Sequence, residues 1–159
     1  MDTKTHFQAP DNIAFADIRL PSIFLAGSIE MGVAEEWQTK ATQLLDEGGK
    51  FNIFNPRRKD WDGSWVPKYG NPQFDQQVLW ELNALERSDL ILMYFDPNTK
   101  SPISLLEFGL YATSSKLHVV CSEDFYRSGN IEIVCSMYNI PLYNSLSEAI
   151  QRIIQITNG

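Results

Sequence analysis

Short apolar runs alternate with helical segments along most of this 159-residue chain. The apolar runs end at Gly, Pro, Asp or Ser, which is typical of buried parallel strands bounded by turns. The segments between them repeat apolar residues three and four positions apart, as amphipathic helices do. This alternation predicts an α/β fold, because parallel strands are joined by right-handed crossovers that cover both faces of a sheet.

The alternation contains five predicted strands, of which the run from Leu90 to Phe95 is the best marked. The other four are the segments 22–27, 51–54, 117–121 and 140–143. A last helix is predicted where Ser145 and Glu148 have the spacing of a capping box. We expect one flavodoxin-like three-layer domain over residues 21–159, with a five-stranded parallel sheet of order 2-1-3-4-5. Residues 1–20 are expected to form a flexible arm.

The first predicted strand ends in a loop of small residues, Ala26-Gly-Ser-Ile29. Folds of this class bind ligands at the carboxyl ends of the strands, where the strand order reverses. Such a loop either offers backbone N–H groups to a phosphate or sugar, or is an ordinary strand-to-helix turn. It matches neither the GxGxxG fingerprint nor a P-loop, which argues against a dinucleotide-binding enzyme.

A long connection over residues 55–72 mixes tryptophans, arginines and aspartates. Nucleobases are recognised by stacking on aromatic rings, and arginine pairs well with phosphate. The loop is therefore either a substrate-binding segment or a lid held by tryptophan packing and salt bridges. Its candidate substrate-binding residues are Arg57, Arg58, Asp60 and Trp61.

Glu107 is the leading candidate for a catalytic carboxylate. It lies in a predicted helix that begins at Ser101, on the margin of an apolar stripe of Ile103, Leu106 and Leu110. Partial burial at such a margin raises the pKa of a carboxyl group unless hydrogen-bond donors compensate. From the pattern alone, a glutamate on the helix surface is the alternative interpretation.

The composition excludes several classes of function. A net charge of −7 argues against a broad surface for nucleic acids, which would need basic patches. The two cysteines form no CxxC pair and the two histidines stand apart, so we expect neither a metal site nor a cofactor. No run reaches the ~20 apolar residues of a membrane span, and the first residues lack the apolar run of a signal peptide. We therefore expect a cytoplasmic protein that binds neither nucleic acid polymers nor membranes.

Four segments, in this order, make the chain resemble the nucleoside 2-deoxyribosyltransferase-like family. They are Ile23-Phe-Leu-Ala-Gly-Ser-Ile29, Glu86-Arg-Ser-Asp-Leu-Ile-Leu92, Ser101-Pro-Ile-Ser-Leu-Leu-Glu-Phe-Gly-Leu-Tyr-Ala112 and Gly129-Asn-Ile131. The resemblance covers roughly residues 20 to 140, and the E-F-G-x-x-A piece is its most specific part.

The resemblance implies roles for residues of this chain. Glu107 matches the nucleophile that attacks the anomeric carbon and forms a glycosyl-enzyme ester, and Asp89 matches the residue that contacts or protonates the leaving base. Asn130 matches a residue that completes a neighbouring subunit's sugar pocket, so a homodimer or larger homo-oligomer is implied. The residues matching the loop that lines the sugar or base site are Gly27, Ser28 and Ile29.

Two positions depart from the family's pattern. Phe24 stands where the family often has a tyrosine, and Ser101 stands where it has a second carboxylate. The related 5′-monophosphate hydrolases use serines and an arginine for phosphate, a part that Ser28, Ser101 and Arg57 or Arg58 can play. We expect a glycosyl-transferring enzyme acting on deoxynucleosides. The alternatives are an N-hydrolase of nucleosides or nucleoside 5′-monophosphates and a catalytically silent nucleotide-binding module.

Overall fold

The computed structural model, which describes residues 3–29, 36–58 and 64–158, contains a six-stranded parallel sheet with helices on both faces. The strands are β1 (His6–Gln8), β2 (Ser22–Gly27), β3 (Asn52–Asn55), β4 (Leu90–Phe95), β5 (Leu117–Cys121) and β6 (Leu142–Tyr143). The helices are α1 (Trp37–Gly48), α2 (Pro72–Arg87), α3 (Pro102–Tyr111), α4 (Ser128–Tyr138) and α5 (Leu146–Asn158). Within the described residues, none of these helices is long and apolar enough to cross a membrane.

The sheet has the order β1-β3-β2-β4-β5-β6, which confirms the predicted α/β class and flavodoxin-like topology. Without β1 the order is the predicted 2-1-3-4-5. The prediction of five strands is one short, because His6–Gln8 pairs in parallel with β3 in the segment expected to be a flexible arm. Phe7 of this strand is buried, and its ring packs 5.8 Å from the ring of Phe54. A strand of three residues is too short to show a hydrophobic period, so the sequence pattern missed it.

The sheet separates two hydrophobic cores. The core beneath α2, α3 and α4 includes Trp80, Phe108 and Ile131. The opposite core, beneath α1 and α5, includes Ala41 and Ile150. Apolar side chains on both faces explain why β2 and β4 are continuous apolar runs rather than alternating ones.

The point where the strand order reverses lies between β2 and β4. The chain continues from β2 into α1 on one face of the sheet, and from β4 through a short loop into α3 on the other face. Gly27 ends β2 beside Tyr94, with a φ of +140°, and a Cβ atom there would lie 2.2 Å from the Tyr94 carbonyl oxygen. Glycine is therefore required at this end of β2, and the loop after it opens at the crevice where such folds bind ligands.

The helix α3 buries a different face from the one its apolar stripe indicates. Ile103, Leu106 and Leu110 are 58, 59 and 56% exposed, whereas Glu107 and Phe108 are buried. Hydrophobicity alone would favour burial of the face with Ile103, Leu106 and Leu110, because Glu107 is the one charged residue of the helix. Glu107 thus lies on the packed face of α3, and the apolar stripe that was expected to be buried faces outward.

Candidate functional site

Glu107 lies in the middle of α3, and its side chain is directed into the protein. The residue is 6% exposed and shares its buried face with Ser104 and Phe108. Burial, together with a smaller effect of the nearby charge of Glu81, raises the pKa of its carboxyl group to about 8. In such a setting, a nearby positive charge would strongly favour the ionised carboxylate.

A second carboxyl group, which is half-buried, belongs to Glu81 on α2. Burial raises its pKa to about 7, and hydrogen bonding with Gln77 acts in the opposite direction. Within the described residues, no cation contributes to the pKa of Glu81 or Glu107. Two carboxyl groups that interact in a desolvated site titrate as a pair. The pair therefore keeps a proton at pH values where ordinary glutamates have lost theirs.

Three buried hydroxyl groups meet at the carboxyl ends of β2 and β4. The Ser28 Oγ lies 3.0 Å from Thr99 Oγ1 and 2.5 Å from Ser101 Oγ, and the last two atoms are 2.7 Å apart. The backbone N–H of Asp96 also donates to Ser28 Oγ at 2.9 Å. Ser101 adopts a left-handed conformation with φ 47° directly before α3. The hydroxyl triangle thus fixes the turn that begins the helix carrying Glu107.

The loop after β2 is anchored to the sheet through Trp37. The indole Nε1 of Trp37 donates to the carbonyl oxygen of Ser28 at 3.0 Å, and its ring packs 5.3 Å from the ring of Tyr94. Ile29 is half-buried at the end of this described segment. The backbone of Gly27 and Ser28 is therefore placed by both neighbouring strands and by α1.

The two arginines after β3 differ in their contacts. Arg57 has its Nε and Nη2 atoms buried, and among the described residues they have no hydrogen-bond partner. Arg58 donates from Nη1 to Gln76 Oε1 at 2.9 Å and lies 5.0 Å over the ring of Trp65. The guanidinium of Arg57 is thus the better placed of the two to accept an anionic group. The candidates Asp60 and Trp61 lie outside the described residues.

Asp89 lies at the amino ends of the strands, and the structure does not bring it together with Ser28 and Ser101 at their carboxyl ends. It precedes β4, and its Oδ2 accepts from the N and Oγ of Ser22 at 2.9 and 3.1 Å. Its own backbone N–H donates to Ser22 Oγ at 2.9 Å. At ~3.3 Å per residue, the length of β4 separates Asp89 from Tyr94 by roughly 16 Å. Asp89 joins the amino ends of two strands and does not contribute to the pKa of Glu107.

The remaining positions singled out in the sequence lie on other elements, α4 and β2. Asn130 is exposed in the first turn of α4. Phe24 is fully buried under α2, with its ring 6.3 Å from the ring of Trp80. In the described part of the chain, no three His, Cys, Asp or Glu side chains are grouped so as to hold a metal ion.

Glu81 and Thr99 are the residues of this region that the sequence analysis missed. The available signal for Glu81 was its position between Gln77 and Leu85, four residues from each, on the side of α2 that packs inward. A polar residue at a core-facing helical position is unusual unless it is paired or functional. Thr99 had no comparable signal, because it lies in a turn whose contact with Ser28 joins residues 71 positions apart.

Comparisons with known proteins agree with this architecture. A family model described as "Nucleoside 2-deoxyribosyltransferase like" matches residues 20–125, a range that includes both Glu81 and Glu107. No curated protein matches the chain. Among solved structures, a conserved protein from Enterococcus faecalis V583 is similar, with a TM-score of 0.63 and 12% sequence identity. The similarity covers 86% of this chain and 99% of that one, and at this identity it shows the fold alone.

Proposed function

The chain belongs to the nucleoside 2-deoxyribosyltransferase-like family, and from this premise we propose that it cleaves the N-glycosidic bond of 2′-deoxynucleosides and passes the sugar to another base. The observation that carries the proposal is the pair of interacting carboxyl groups of buried Glu107 and half-buried Glu81. Glycosidic cleavage through a covalent intermediate uses one carboxylate as nucleophile and one acid for the leaving group. A pair that holds one proton and one negative charge supplies both.

In the first proposed step, a carboxylate oxygen of Glu107 attacks C1′ of the sugar. The bond between C1′ and the base nitrogen breaks, its electron pair stays with the base, and Glu81 donates a proton to that base. Positive charge on the sugar favours the ionised form of Glu107, so the proton shared by the pair resides on Glu81 when substrate is bound. The products are a free base, an ester between C1′ and Glu107, and an ionised Glu81.

In the second proposed step, a nitrogen of the incoming base attacks C1′. The ester bond breaks, its electrons return to Glu107, and Glu81 takes the proton that the incoming base loses. Both carboxyl groups then have the protonation with which they began. Water in place of the second base completes the same cycle as a hydrolysis.

A second candidate function is hydrolysis of nucleoside 5′-monophosphates by the same nucleophile. The observation that favours it is Arg57, whose buried Nε and Nη2 atoms have no partner among the described residues. Guanidinium groups bind phosphate through paired N–H donors. The serines support it less, because the hydroxyl groups of Ser28 and Ser101 already bond to each other.

The experiment that tests the function uses two substrates and an optional acceptor. The protein is incubated with a 2′-deoxynucleoside or its 5′-monophosphate, with and without a second free base, and the products are separated by chromatography. Formation of the new nucleoside supports transfer, whereas free sugar or sugar phosphate supports hydrolysis. Glu107→Gln is the matched control, and equal product formation by this variant would contradict the proposed nucleophile.

For the assembly, we propose a homodimer formed through the outward face of α3. Ile103, Leu106 and Leu110 expose more than half of their surface there, and a Cβ atom added at Gly109 would meet nothing within 4 Å. A contiguous apolar patch of this kind marks an interaction surface. A two-fold axis brings the same patch of both copies together. Because this patch carries no charge, contact there limits the repulsion between two chains that each have a net charge of −7.

The oligomeric state tests this interface. Leu106→Glu places a charge in the middle of the patch, and we expect it to convert the dimer to a monomer in light scattering coupled to size exclusion. Ile18→Glu is the control, because Ile18 is 94% exposed but lies outside α3. A monomeric unaltered protein, or equal behaviour of the two variants, would contradict the assignment.

A further inference from the structure

A tight turn joins β4 to α3 and fixes the hydroxyl group of Thr99. The backbone N–H of Thr99 donates to the carbonyl oxygen of Asp96 at 3.0 Å, and the hydroxyl group donates to the same oxygen at 3.0 Å. Because the hydroxyl hydrogen is used in this contact, the Oγ1 atom is left as an acceptor. Thr99 is buried, so water competes little for that acceptor.

Two serines from separate segments lie within hydrogen-bond distance of this acceptor. Ser28 Oγ, in the loop after β2, is 3.0 Å from Thr99 Oγ1, and Ser101 Oγ, at the start of α3, is 2.7 Å from it. Both serines are buried as well. Thr99 therefore connects a loop and a helix whose serines are 73 positions apart in the chain.

Ser101 begins its helix in an unfavourable way. Its φ of 47° and ψ of 55° lie in the left-handed region, which disfavours residues with a Cβ atom. A serine before the first turn of a helix ordinarily accepts a hydrogen bond from a backbone N–H of that turn, but Ser101 makes no such bond. Its hydroxyl group contacts Ser28 and Thr99 instead. Two local preferences are thus given up for a contact with the loop after β2.

The helix α2 offers a contrast, because it also begins with a polar residue followed by proline. There Asn71 is extended, with φ −78°, and its side chain accepts from the N–H of Phe74 at 3.2 Å. Asparagine and serine are comparable in this position, so the different start of α3 reflects the tertiary contacts of Ser101. Strained backbone of this kind persists where its surroundings fix it, and it is concentrated at functional sites.

We propose that Thr99 is a positioning residue for Glu107, because it holds the amino end of α3 against the loop after β2. Glu107 lies in the second turn of α3, so a rigid helix transmits the placement of Ser101 to its carboxyl group. Attack on C1′ requires that this group be held at a short, fixed distance from the sugar, and a small displacement slows the chemical step. The effect on catalysis rests on the proposed function, whereas the tie itself involves this chain alone.

The kinetic test removes the hydroxyl group of Thr99 and then restores it. Thr99→Val replaces the hydroxyl with a methyl group of similar size, and Thr99→Ser keeps the hydroxyl. Thr157→Val is the matched control, because the Thr157 hydroxyl donates to carbonyl oxygens of its own helix, α5, at 2.9 and 3.2 Å. We expect kcat for a 2′-deoxynucleoside to fall ~10- to 100-fold in Thr99→Val, with KM nearly unchanged. The other two variants should stay within a few-fold of the unaltered protein.

A second measurement follows the tie itself and needs no substrate. The N–H of Leu105 donates to the carbonyl oxygen of Ser101 at 3.0 Å, and the N–H of Ile91 donates to that of Lys116 at 2.9 Å in the sheet. Deuterium exchange of both amides is followed by NMR. A general loss of stability raises both rates, whereas loosening of the start of α3 raises that of Leu105 alone. We expect the ratio of the Leu105 rate to the Ile91 rate to rise about tenfold in Thr99→Val only.

The two measurements separate this inference from the proposed function. An unchanged exchange ratio in folded Thr99→Val would overturn the tie, whatever the activity. A raised ratio with an unaltered kcat would overturn the positioning of Glu107 by Thr99. A raised ratio without turnover of any tested nucleoside by the unaltered protein would support the tie and contradict the proposed function. If Thr99→Val does not fold, Thr99→Ala removes the same hydroxyl, and an unchanged ratio there is again the overturning result.

Discussion

The two ends of the central strand β4 carry carboxyl groups in opposite circumstances. At its amino end, Asp89 is exposed and accepts two hydrogen bonds from Ser22. Towards its carboxyl end, helices on one face carry the half-buried Glu81 and the buried Glu107, whose carboxyl groups interact. Asp89 and Glu107 lie in two segments that both resemble the family, but the fold places them in different surroundings.

The two kinds of carboxyl group affect the stability of the fold in opposite directions. The carboxylate of Asp89 favours the folded state, because it accepts hydrogen bonds from Ser22 of the neighbouring strand. Two desolvated carboxyl groups with raised pKa values disfavour it as the pH rises, because the ionised forms are poorly solvated. Perturbed groups of this kind are concentrated at functional sites. The carboxyl pair is accordingly the candidate for chemistry, and the Asp89–Ser22 contact is a structural tie.

The largest effect is expected from Glu107→Gln. We expect turnover to fall by a factor of at least ~10³, because the amide is a poor nucleophile towards C1′. Chromatographic assay of base release measures the loss. A rate within a few-fold of the unaltered protein would remove Glu107 from the mechanism.

The same variant should be more stable than the unaltered protein at alkaline pH. The pKa of Glu107 is raised to about 8 from an ordinary 4.5, so the folded state keeps a proton that the unfolded chain loses. Stability from this group is therefore present below about pH 4.5 and is lost as the pH rises towards 8. Glutamine does not ionise, so we expect the gain in melting temperature over the unaltered protein to be larger at pH 8 than at pH 5. A gain independent of pH would contradict the raised pKa.

A second test distinguishes the proposed acid, Glu81, from the proposed nucleophile, Glu107. Glu81→Gln should lower the rate of base release by ~10²–10³, the range of general acid catalysis. The defect should be much smaller with 7-methyl-2′-deoxyguanosine, whose base already carries a positive charge and leaves without protonation. Steady-state kinetics on the two substrates give the comparison. Equal defects on both would show that Glu81 does not act as the acid.

Arg57→Ala tests the loop beside the pair and should have a more modest effect. We expect KM for a nucleoside 5′-monophosphate to rise by about tenfold, with little change for the nucleoside, because one charge-assisted contact to phosphate is lost. Arg58→Ala is the matched control, since Arg58 is engaged by Gln76 and Trp65. An equal rise in KM for the nucleoside and its 5′-monophosphate would show that Arg57 does not bind the phosphate.

The smallest effect on turnover is expected at the other end of β4. Asp89→Ala should leave kcat/KM within a few-fold and lower the free energy of unfolding by about 1–3 kcal/mol, because Ser22 N and Oγ lose their acceptor. Denaturant unfolding measures the loss, and Ser22→Ala should show a similar, non-additive loss in a double-mutant cycle. A large fall in kcat with unchanged stability would restore a catalytic role to Asp89.

Much of the fold is predictable from local sequence, since strands such as β2 and β4 are continuous apolar runs with clear ends. The faces of the helices are less predictable. In α3 the outward residues Ile103 and Leu106 are more apolar than the inward Glu107, so hydrophobic pattern alone misjudges the buried face. A surface that a second subunit covers would look the same in sequence as one that faces the core.

The candidate site is only partly predictable, because its members come from separate segments. Glu107 is recognisable from its motif, but Glu81 lies 26 residues earlier, in a helix without a comparable motif. Only the packing of α2 and α3 on one face of the sheet brings their carboxyl groups into interaction. The opposite holds for Asp89. The sequence around it resembles a family segment, but in space its carboxylate accepts hydrogen bonds from Ser22 and joins two strands.

The most direct test of the carboxyl pair is to trap the glycosyl ester. A 2′-fluorinated 2′-deoxynucleoside destabilises the oxocarbenium-like state and slows both steps, and a good leaving group allows the first to proceed. Intact-protein and peptide mass spectrometry then locate the bound sugar. We predict one sugar per chain, on the peptide that contains Glu107, and none in Glu107→Gln. A sugar attached elsewhere, or turnover of ordinary substrate without Glu107, would contradict the account.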